Sequence, residues 1–311
     1  MQQTSTTEPP VRTQPAAVDT DKSRTFRRAF ADIGAGLRTR QLWSHLGWQD
    51  IRQRYRRSTL GPLWITLSMG ITAIGLGLLY SQLFGAPISA YVPYITAGFL
   101  TWNFIMSSLK EGSNTFIRNA GLVKHLPSPL TVYALRTTWR LSIIFLHNLV
   151  IYVIVIAVFF TSLNEPYKLV DNAKDVHPGL GWYSLLAIPA LAIFLINSVW
   201  VVLLFGIIST RFRDVPQFID SISSLLFFMT PIVWSVDTLA AKFGEGADTG
   251  PRTLIYQLNP MYHFLQIVRA PLIGGEQSWH HWWIVLSVTV IGWCLTLVVL
   301  RNYRARVSYW V

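Results

Sequence analysis

Four arginines crowd the stretch that leads into the first long apolar run of this sequence. That stretch, Asp50 to Trp64, reads DIRQRYRRSTLGPLW and carries five charges in its first eight residues. Arginine side chains form forked, charge-assisted hydrogen bonds with phosphate and carboxylate groups. Such a band marks a nucleic-acid patch, a stop signal for membrane insertion or a surface for anionic headgroups. The elements around it decide between the three.

The composition is that of an integral membrane protein. Of the 311 residues, 51% are hydrophobic and only 13% are charged, whereas about a quarter of a soluble domain is charged. The net charge of +11 is confined to short tracts between long uncharged runs, which argues against nucleic acid as a partner. A single cysteine, Cys294, excludes an internal disulfide and a multi-cysteine metal site.

Six apolar stretches are long enough to cross about 30 Å of hydrocarbon at about 1.5 Å per residue. They cover approximately residues 62–84, 91–109, 141–161, 182–210, 217–235 and 282–300. The predicted fold is therefore an all-α integral membrane domain over residues 40–311. Residues 1–39 are rich in Thr, Gln, Pro and Arg, lack the apolar core of a signal peptide and are predicted to be a disordered arm.

The distribution of basic residues predicts the orientation. An even number of spans places both termini on one side of the membrane, and that side holds 21 of the 26 Lys and Arg residues. Because basic loops stay in the cytoplasm, the sequence predicts a multi-pass protein of the cytoplasmic membrane. Both termini, and with them the arm of residues 1–39, are expected on the cytoplasmic side.

The predicted spans carry no Asp, Glu, Lys or Arg once their ends are trimmed at Asp220 and Arg301. Ion-coupled transporters keep ionisable groups at membrane depth, so this argues against a secondary transporter. His147, Asn148 and Asn197 are interpreted as interhelical hydrogen-bonding residues, with polar transport contacts inside the bundle as the alternative. Neither a GxxxxGK[ST] phosphate loop nor an HExxH motif occurs, so the energy for any uphill transport must come from a partner.

The arginine band itself is predicted to be helical. At about 100° per residue, Trp48, Ile51 and Tyr55 form one stripe. We interpret this segment as an amphipathic helix on the membrane surface, with its arginines directed to anionic headgroups. Gly61-Pro62 then marks the turn into the first span.

A second irregular region lies between the fifth and sixth predicted spans. Asn259 is a helix cap with Pro260 at the first helical position, and Pro271 with Gly274-Gly275 ends the helix. The segment is too apolar for a free loop and too interrupted for a span. We expect an interfacial or re-entrant hairpin on the outer side, with an extracellular loop lying on the bilayer as the alternative.

Small residues mark one face of the first span. Gly70, Ala73 and Gly77 are spaced so that another helix can approach them closely. That helix belongs either to a second copy of the chain, across a central path, or to the same subunit. The sequence leaves both alternatives open.

Five motifs in order make the chain resemble the membrane-spanning subunit of ABC-2-type polysaccharide exporters, which move lipid-linked O-antigen, teichoic acid or galactan chains. The motifs are RQRYRRSTLGPLW, EGSNTFIRNAGLVKHLPSP, STRFRDVPQFID, FFMTPIVW and LNPMYHFLQIVRAPLIG. Together they span nearly the whole chain from about Arg40. The segments LGWQDIRQRYRRSTLGPLW and LLYSQLFG are most similar to those of the actinobacterial members that export cell-wall galactan.

The resemblance implies a homodimer of six-helix subunits bound to two copies of a separate ATPase, which binds the ATP and magnesium. This chain is then a transport subunit rather than an enzyme, without a cofactor or metal site of its own. Its other partners are the lipid-linked polysaccharide and membrane lipids. The implied elements are an N-terminal amphipathic helix, a cytoplasmic coupling helix and re-entrant outer gate helices.

The resemblance also assigns roles to residues. A coupling helix, Gly112 to Lys124, presents Phe116, Ala120 and Val123 on one face. The residues implied in coupling to the ATPase are Gly112, Ser113, Asn114, Phe116, Ile117, Arg118, Asn119, Lys124, Arg211, Arg213 and Asp214. The diphosphate of the substrate is expected at Arg52, Arg54, Tyr55, Arg56 and Arg57. The outer gate residues are Asn259, Pro260, Tyr262 and Arg269.

A polysaccharide path needs surfaces that bind sugar faces weakly and repeatedly, and aromatic rings provide them. The candidates are Trp64, Tyr80, Phe84, Tyr94, Trp102, Phe227, Phe228 and Trp234. The competing explanation for most tryptophans is the aromatic belt at the membrane interface. Trp43, Trp48, Trp139, Trp182, Trp279, Trp282 and Trp283 fit that belt, whereas Trp102 lies deeper.

Two alternative functions stay open at this point. An ABC-2 exporter of a small lipid or drug shares the fold and the energy source. A membrane enzyme acting on a polyprenyl-linked sugar shares the aromatic richness and predicts that outer-loop acids such as Asp171 or Asp237 are essential. The exporter interpretation predicts tolerance at those acids and sensitivity at Phe116 or Arg118.

Overall fold

A computed structural model describes residues 24–56, 61, 63–126, 128–170, 176–238 and 251–311. Within these ranges the fold is helical, and its β-structure is an isolated antiparallel bridge between Tyr167 and His177. The helices that organise it are α1 Phe26–Arg38, α2 Arg40–Arg54, α3 Leu63–Phe84, α4 Ile88–Ser113, α5 Thr115–Arg118, α6 Ala120–His125, α7 Leu130–Val158, α8 Phe160–Asn164, α9 Ala187–Arg211, α10 Val215–Met229, α11 Pro251–Gln257, α12 Pro260–Ile273 and α13 Trp279–Trp310. A 3₁₀ turn, Trp182–Leu186, leads into α9.

Among the described residues, four helical segments are long and apolar enough to cross a membrane. They are Leu63–Phe84, Leu130–Val158, Trp182–Arg211 and Trp279–Trp310. These segments coincide with the first, third, fourth and sixth predicted spans. The second predicted span lies within α4, a 26-residue helix that its neighbours largely bury. The topology of six spans as a whole stays a prediction.

The fifth predicted span, residues 217–235, is wrong at its end. Helix α10 has 15 residues and ends at Met229. At about 1.5 Å per residue it is shorter than about 30 Å of hydrocarbon. Thr230 adopts extended backbone, with ψ of 132°, because the following Pro231 disfavours a helical conformation at the residue before it. The segment from Thr230 to Trp234 is therefore not helical, and its carbonyl groups need partners elsewhere.

The prediction that residues 1–39 form a disordered arm is wrong for Phe26–Arg38, which form α1. Asp32 of this helix is buried and accepts hydrogen bonds from the backbone N–H groups of Leu130 and Thr131 at 3.2 and 3.1 Å. Asp32 thus caps the start of α7, where the adjoining Pro129 has no polar side chain to do so. Residues 1–23 lie outside the described ranges.

Helix α2 confirms that the arginine band is helical as far as Arg54, but the three residues of the predicted stripe differ in their exposure. Trp48 is 47% exposed, whereas Ile51 is 3% exposed and Tyr55 is half-buried. The reason is that α2 packs along α7, where Trp43 meets Trp139 edge to face with 5.8 Å between ring centroids. The longer exposed apolar row at this end of the chain lies on α1, at Phe26, Phe30 and Leu37.

The small residues of α3 serve packing inside the subunit. A Cβ on Gly70 would lie 2.9 Å from Ile151 of α7, and one on Gly77 would lie 3.0 Å from Val92 of α4. Ala73 between them is fully buried. Of the two alternatives for this stripe, contact within one subunit is the one observed. The other face of α3 stays exposed.

The segments predicted to be cytoplasmic meet at one end of the helix bundle, which we call the basic end. Asp32 of α1 lies 3.7 Å from Arg304 of α13, and Arg213 donates a hydrogen bond to the carbonyl of Trp310 at 2.8 Å. The opposite end holds α12 and the loop before α9. There the Tyr167 hydroxyl donates to the carbonyl of Ile273 at 2.7 Å.

Candidate functional site

At the basic end, two carboxylates and three arginines form a continuous chain of ion pairs, which we call the arginine–carboxylate network. Arg136 of α7 donates from Nε and Nη2 to the two carboxylate oxygens of Asp50 of α2, at 2.9 and 2.6 Å. Arg140, one turn later, donates to Asp50 at 3.2 Å and also to Glu111 of α4. The second oxygen of Glu111 lies 3.8 Å from Arg54 of α2.

The arginine–carboxylate network is largely removed from solvent. The side chains of Asp50 and Arg136 are 14% and 16% exposed. Attraction between such charges is screened less than at a surface, and loss of one partner leaves an uncompensated charge. Arg136 also donates from Nη1 to Oδ1 of Asn119 at 3.1 Å. The network therefore joins the interfacial helix α2 to the end of α4 and to the segment between α5 and α6.

The predicted coupling helix, Gly112 to Lys124, is not a single helix. It begins in the last turn of α4 and breaks at Asn114 and Asn119, which gives the short helices α5 and α6. The Asn114 side chain donates to the Lys110 carbonyl at 2.9 Å, and the Asn119 side chain donates to the Thr115 carbonyl at 2.7 Å. Such local bonds from side chain to backbone compete with the helical pattern and interrupt the predicted period.

Phe116 anchors this coupling segment to the membrane helices. It is fully buried and meets Tyr133 of α7 edge to face, with 6.1 Å between ring centroids. On α9, a Cβ added to Gly206 would lie 2.8 Å from the Phe116 ring, so only glycine leaves room for it. The remaining coupling candidates divide into buried Gly112, Ser113 and Val123, half-buried Asn114, Ile117, Asn119 and Ala120, and exposed Arg118 and Lys124.

The second predicted coupling element, Arg211, Arg213 and Asp214, is an exposed turn between α9 and α10. Besides the hydrogen bond from Arg213 to Trp310, the Arg211 guanidinium lies over the Trp310 ring, 5.8 Å from its centroid. The turn is thus fixed against the last turn of α13. It lies at the same end of the bundle as the coupling segment, because α5 packs on α9.

The predicted headgroup residues lie at the end of α2 and just beyond it. Arg52, Arg54 and Arg56 are exposed and Tyr55 is half-buried, whereas Arg57 lies outside the described residues. Arg52, Tyr55 and Arg56 border a shallow depression of about 570 Å³. Arg54 belongs instead to the arginine–carboxylate network. Of the described arginines, Arg52 and Arg56 are therefore exposed beside the depression, whereas Arg54 pairs with Glu111.

The predicted channel aromatics form two separate rows of ring contacts. The first row joins α3 to α4 near the opposite end, with 5.6 to 5.9 Å between neighbouring centroids, and consists of Tyr80, Phe84, Tyr91 and Tyr94. The second row joins α4 to α10, with spacings of 5.8 and 5.4 Å, and consists of Trp102, Phe227 and Phe228.

The predicted channel aromatics, inside and outside these rows, differ in their exposure to solvent. Tyr94 and Trp102 are 4% and 6% exposed and belong to the packed core, whereas Phe228 and Trp64 are 65% and 56% exposed. Trp234 is half-buried and donates from its indole nitrogen to the Phe228 carbonyl at 3.0 Å. In this conformation, Phe228 and Trp64 are the candidates that a polymer outside the subunit core can touch.

The helix predicted to begin at Asn259 and Pro260 is present as α12, and its role as an outer gate stays a prediction. The Asn259 side chain accepts a hydrogen bond from the backbone N–H of Met261 at 3.0 Å, Pro260 occupies the first turn, and Gly274 ends the helix with φ of 66°. Pro271 lies inside the helix, so the prediction that it ends the helix is wrong. Tyr262 and Arg269 are both buried in α12.

Arg269 connects α12 to the non-helical end of α10. It donates from Nη1 to the Pro231 carbonyl at 2.6 Å. The hydroxyl of Tyr91 donates to the Val233 carbonyl at 3.0 Å, and that of Tyr94 donates to the Trp234 carbonyl at 3.1 Å. Buried carbonyl groups outside a helix must find donors in this way. Arg269 is thus a structural donor to the broken end of α10.

Sequence reasoning missed Asp32, Asp50, Glu111, Arg136 and Arg140 as site residues. The basic members were counted only as signals of topology, and no pairing with the acidic members was predicted. One signal was available, because Arg136 and Arg140 are four residues apart and therefore share a helix face. Their acidic partners lie 29 to 90 positions away, and no local pattern announces such contacts.

Comparison with known proteins places the chain in a family. The family model described as ABC-2 type transporter matches residues 41–273. An O-antigen export system permease protein RfbA of Klebsiella pneumoniae is 23% identical over 82% of this chain and 88% of its own length. A second RfbA permease of that species is 25% identical over 78% and 86%, and one of Myxococcus xanthus is 23% identical over 71% and 76%.

The family match covers most of the chain, including the arginine–carboxylate network, the coupling segment and α12. It leaves out α1 and α13. The apolar helices of the structure agree with a membrane location. The chain therefore belongs to the ABC-2 type transporter family and is a multi-pass membrane protein.

Proposed function

We propose that this chain is the transmembrane subunit of an ATP-driven exporter that moves a lipid-linked polysaccharide across the cytoplasmic membrane. The observation that carries the proposal is the similarity to O-antigen export permeases over 71% to 82% of the chain. The substrate is a glycan on a polyprenyl diphosphate. The sequences of the N-terminal motifs favour a cell-wall galactan as the glycan, and an O-antigen-like chain is the alternative.

Two copies of a separate ATPase bind ATP and magnesium and dock at the basic end. The support for this docking surface is the exposure of Arg118, Lys124, Arg211 and Arg213 around the buried anchor Phe116. A push on α5 reaches α7 and α9 because the Phe116 ring is packed between them. This chain acts as a transport subunit and leaves hydrolysis to its partner.

A second copy of the chain completes the path. Support comes from two apolar surfaces that neighbouring elements leave uncovered, one on α3 and one on α10. Their exposed members are Ile71, Leu78, Leu79, Phe218, Leu225 and Phe228. In the dimer these faces line or seal a central route, and the exposed rings of Trp64 and Phe228 offer sugar-binding surfaces along it.

The proposed topology has six spans, with the basic end and both termini in the cytoplasm. The excess of Lys and Arg in the segments that meet at this end supports it. The fifth span consists of α10 together with the non-helical segment that follows Met229. Helix α12 is a re-entrant gate helix on the outer side, attached to that segment through Arg269.

The arginines at the end of α2 receive the diphosphate of the lipid. Arg52 and Arg56 are exposed at the edge of a depression beside the start of the first apolar helix. A forked guanidinium binds phosphate oxygens in pairs, whereas lysine presents a single ammonium. Replacement of Arg52, Arg54, Arg56 and Arg57 by Lys therefore preserves insertion but lowers export if bidentate contacts are made.

The experiment that tests the proposal is mass spectrometry of the lipid trapped in the complex when ATP hydrolysis is blocked. A polyprenyl-diphosphate glycan is the expected species. A small lipid or a drug-like molecule in its place would assign the chain to the alternative class of exporter. Loss of function on replacement of Asp237, with an intact fold, would favour the membrane enzyme instead.

A further inference from the structure

A cleft of about 310 Å³ with both polar and apolar lining lies between α3, α4 and α7, and none of the predicted channel aromatics lines it. Polar side chains from all three helices converge on it. They are Ser68, Thr72, Asn103, Ser107 and Asn148. Polar groups at membrane depth are costly and are kept where they pair with one another or bind a ligand. These residues belong to segments predicted to span the membrane.

Asn148 is the member whose hydrogen bonding is incomplete. It is 7% exposed, and its Oδ1 accepts no hydrogen bond from the part of the chain that the structure describes. Asn197 shows the contrast, because its amide donates to Thr289 at 2.8 Å and accepts from Trp200 at 2.6 Å. The predicted interhelical hydrogen bonds are thus found at Asn197 and not at Asn148. A buried amide oxygen without a donor is unfavourable, and a ligand that brings a donor removes the cost.

The other polar groups of the cleft also present oxygen acceptors. The Ser68 hydroxyl donates to the Ile65 carbonyl at 3.1 Å, and the Thr72 hydroxyl donates to the Ser68 carbonyl at 2.9 Å. Each hydroxyl has therefore used its only proton on its own helix and keeps its lone pairs. The Asn103 amide nitrogen likewise donates to the Phe99 carbonyl at 2.8 Å, which leaves its oxygen as an acceptor.

The chemistry of the cleft selects neutral hydroxyl donors. Its lining contains no charged side chain, so it offers no cation to pair with a phosphate group. Beside the acceptors stand aromatic and aliphatic side chains, including Phe99, Phe104 and Phe145. A sugar ring matches this combination, because it carries several hydroxyl donors around an apolar ring face.

The position of the cleft relates it to the arginine–carboxylate network. Ser107 lies one helical turn before Glu111 on α4, and Leu141 of the cleft directly follows Arg140 on α7. The cleft thus begins where the network ends, on the side away from the basic end. A lipid with its diphosphate at the arginines of α2 has its first sugar within a short distance of this level.

We propose that the cleft binds the first sugar of the lipid-linked glycan, with Asn148 Oδ1 as the main acceptor for a sugar hydroxyl. The inference rests on the proposed function, which supplies the lipid-linked sugar. It adds a binding site for a single sugar that is separate from the aromatic path. The site distinguishes a lipid that carries a sugar from the same lipid without one.

The test measures binding of two fluorescent probes to the full-length chain in lipid nanodiscs. One probe is a polyprenyl diphosphate that carries a single hexose, and the other is the same diphosphate without the sugar. Wild-type protein should bind the hexose probe more tightly. Asn148→Leu should weaken binding of that probe roughly three- to tenfold and leave binding of the sugar-free probe unchanged.

Two further variants keep the test informative if Asn148→Leu folds poorly. Thr72→Val preserves shape and removes one acceptor, so it should weaken binding of the hexose probe in the same sense. Ser287→Ala is the matched control, because that hydroxyl also donates to its own helix, at 2.8 Å from the Trp283 carbonyl, but lies on α13 outside the cleft. It should change binding of neither probe.

The outcomes separate this inference from the function on which it rests. If wild-type protein binds both probes and neither cleft variant changes the preference for the hexose probe, the cleft is not the sugar site. If wild-type protein binds neither probe, the proposed substrate class fails and the inference fails with it. Equal binding of both probes to wild-type protein would likewise overturn it.

Discussion

Arg269 donates a hydrogen bond of 2.6 Å to the carbonyl of Pro231 from a side chain that is fully buried. Its guanidinium also lies 3.9 Å from the ring centroid of Tyr94. Since α10 ends at Met229, the carbonyls beyond it depend on side-chain donors, and Arg269 supplies one from the helix α12. Helix α12 and the non-helical end of α10 are therefore joined by a buried, charged hydrogen bond.

Replacement of Arg269 by Met should loosen this connection. The Pro231 carbonyl loses its short charged donor in a buried environment and keeps only the Tyr94 hydroxyl at 3.5 Å, at a cost of about 1–3 kcal/mol in the free energy of unfolding. Hydrogen exchange of residues 260–273 should increase by a corresponding factor. Tyr91→Phe is the matched control, because it removes a single neutral hydroxyl donor and should cost about 1 kcal/mol. Unchanged exchange in Arg269→Met would contradict the assigned role.

Replacement of Asp50 by Ala should destabilise the basic end strongly. Arg136 and Arg140 lose a shared carboxylate while they remain largely buried, and we expect a loss of roughly 2–4 kcal/mol. Asp220→Ala is the control, because its ion pair with Lys110 is exposed and should be worth less than about 1 kcal/mol. Thermal unfolding of the purified protein measures both. Equal losses of stability in the two variants would show that the ion pairs of the network contribute no more to stability than an exposed ion pair does.

The glycine behind Phe116 should be intolerant of even one methyl group. In Gly206→Ala the new Cβ lies 2.8 Å from the Phe116 ring and 3.1 Å from the Gly112 carbonyl, so the coupling segment must shift. We expect a loss of about 1–3 kcal/mol in stability and weaker coupling of ATP hydrolysis to export. The readout is the ratio of ATP hydrolysed to glycan exported.

Gly121→Ala is the control within the same coupling segment. A Cβ at this position of α6 meets no atom within 4 Å, so the variant should fold and export normally. If Gly206→Ala and Gly121→Ala gave the same ratio of hydrolysis to export, the close contact between α5 and α9 would have no part in coupling.

The exposed and the buried aromatics should behave differently on replacement by Ala. Phe228 is 65% exposed, so its loss should change stability by less than about 0.5 kcal/mol while export falls. Trp102 is 6% exposed and packs on Phe227, so its loss should cost about 3–5 kcal/mol. Export and thermal unfolding are measured on the same preparations. Normal export by Phe228→Ala would remove that ring from the proposed path.

The sequence predicted the features that depend on local patterns. Apolar length predicted all four helices that are long enough to cross a membrane, and Asn259, Pro260 and Gly274 predicted the start and the final cap of α12, because caps and turn residues act within a few positions. Helix α1 was not predicted because three arginines interrupt its apolar row, and its buried Asp32 is explained only by the start of α7. Pro231 indicated the end of the helix near Met229, but the predicted fifth span was extended to residue 235 because the stretch is apolar.

Contacts between distant segments were not predictable in the same way. The pairing of Asp50 with Arg136 joins residues 86 positions apart, and the donor that Pro231 finds in Arg269 lies 38 positions away. Both depend on how the helices pack rather than on any local spacing. The predicted coupling helix shows the reverse case, since Asn114 and Asn119 divide it through bonds within its own turns.

The most direct test of the account is ATP-dependent transport in proteoliposomes. The chain is purified together with the ATPase from its genomic neighbourhood and reconstituted in vesicles that contain a polyprenyl-diphosphate glycan. The account predicts that the ATPase co-purifies and that ATP, but not a non-hydrolysable analogue, moves the glycan to the far leaflet. Movement of the glycan by this chain alone would contradict the account. It would also be contradicted if the chain purified stably without an ATPase and if adding the ATPase gave no ATP-dependent movement.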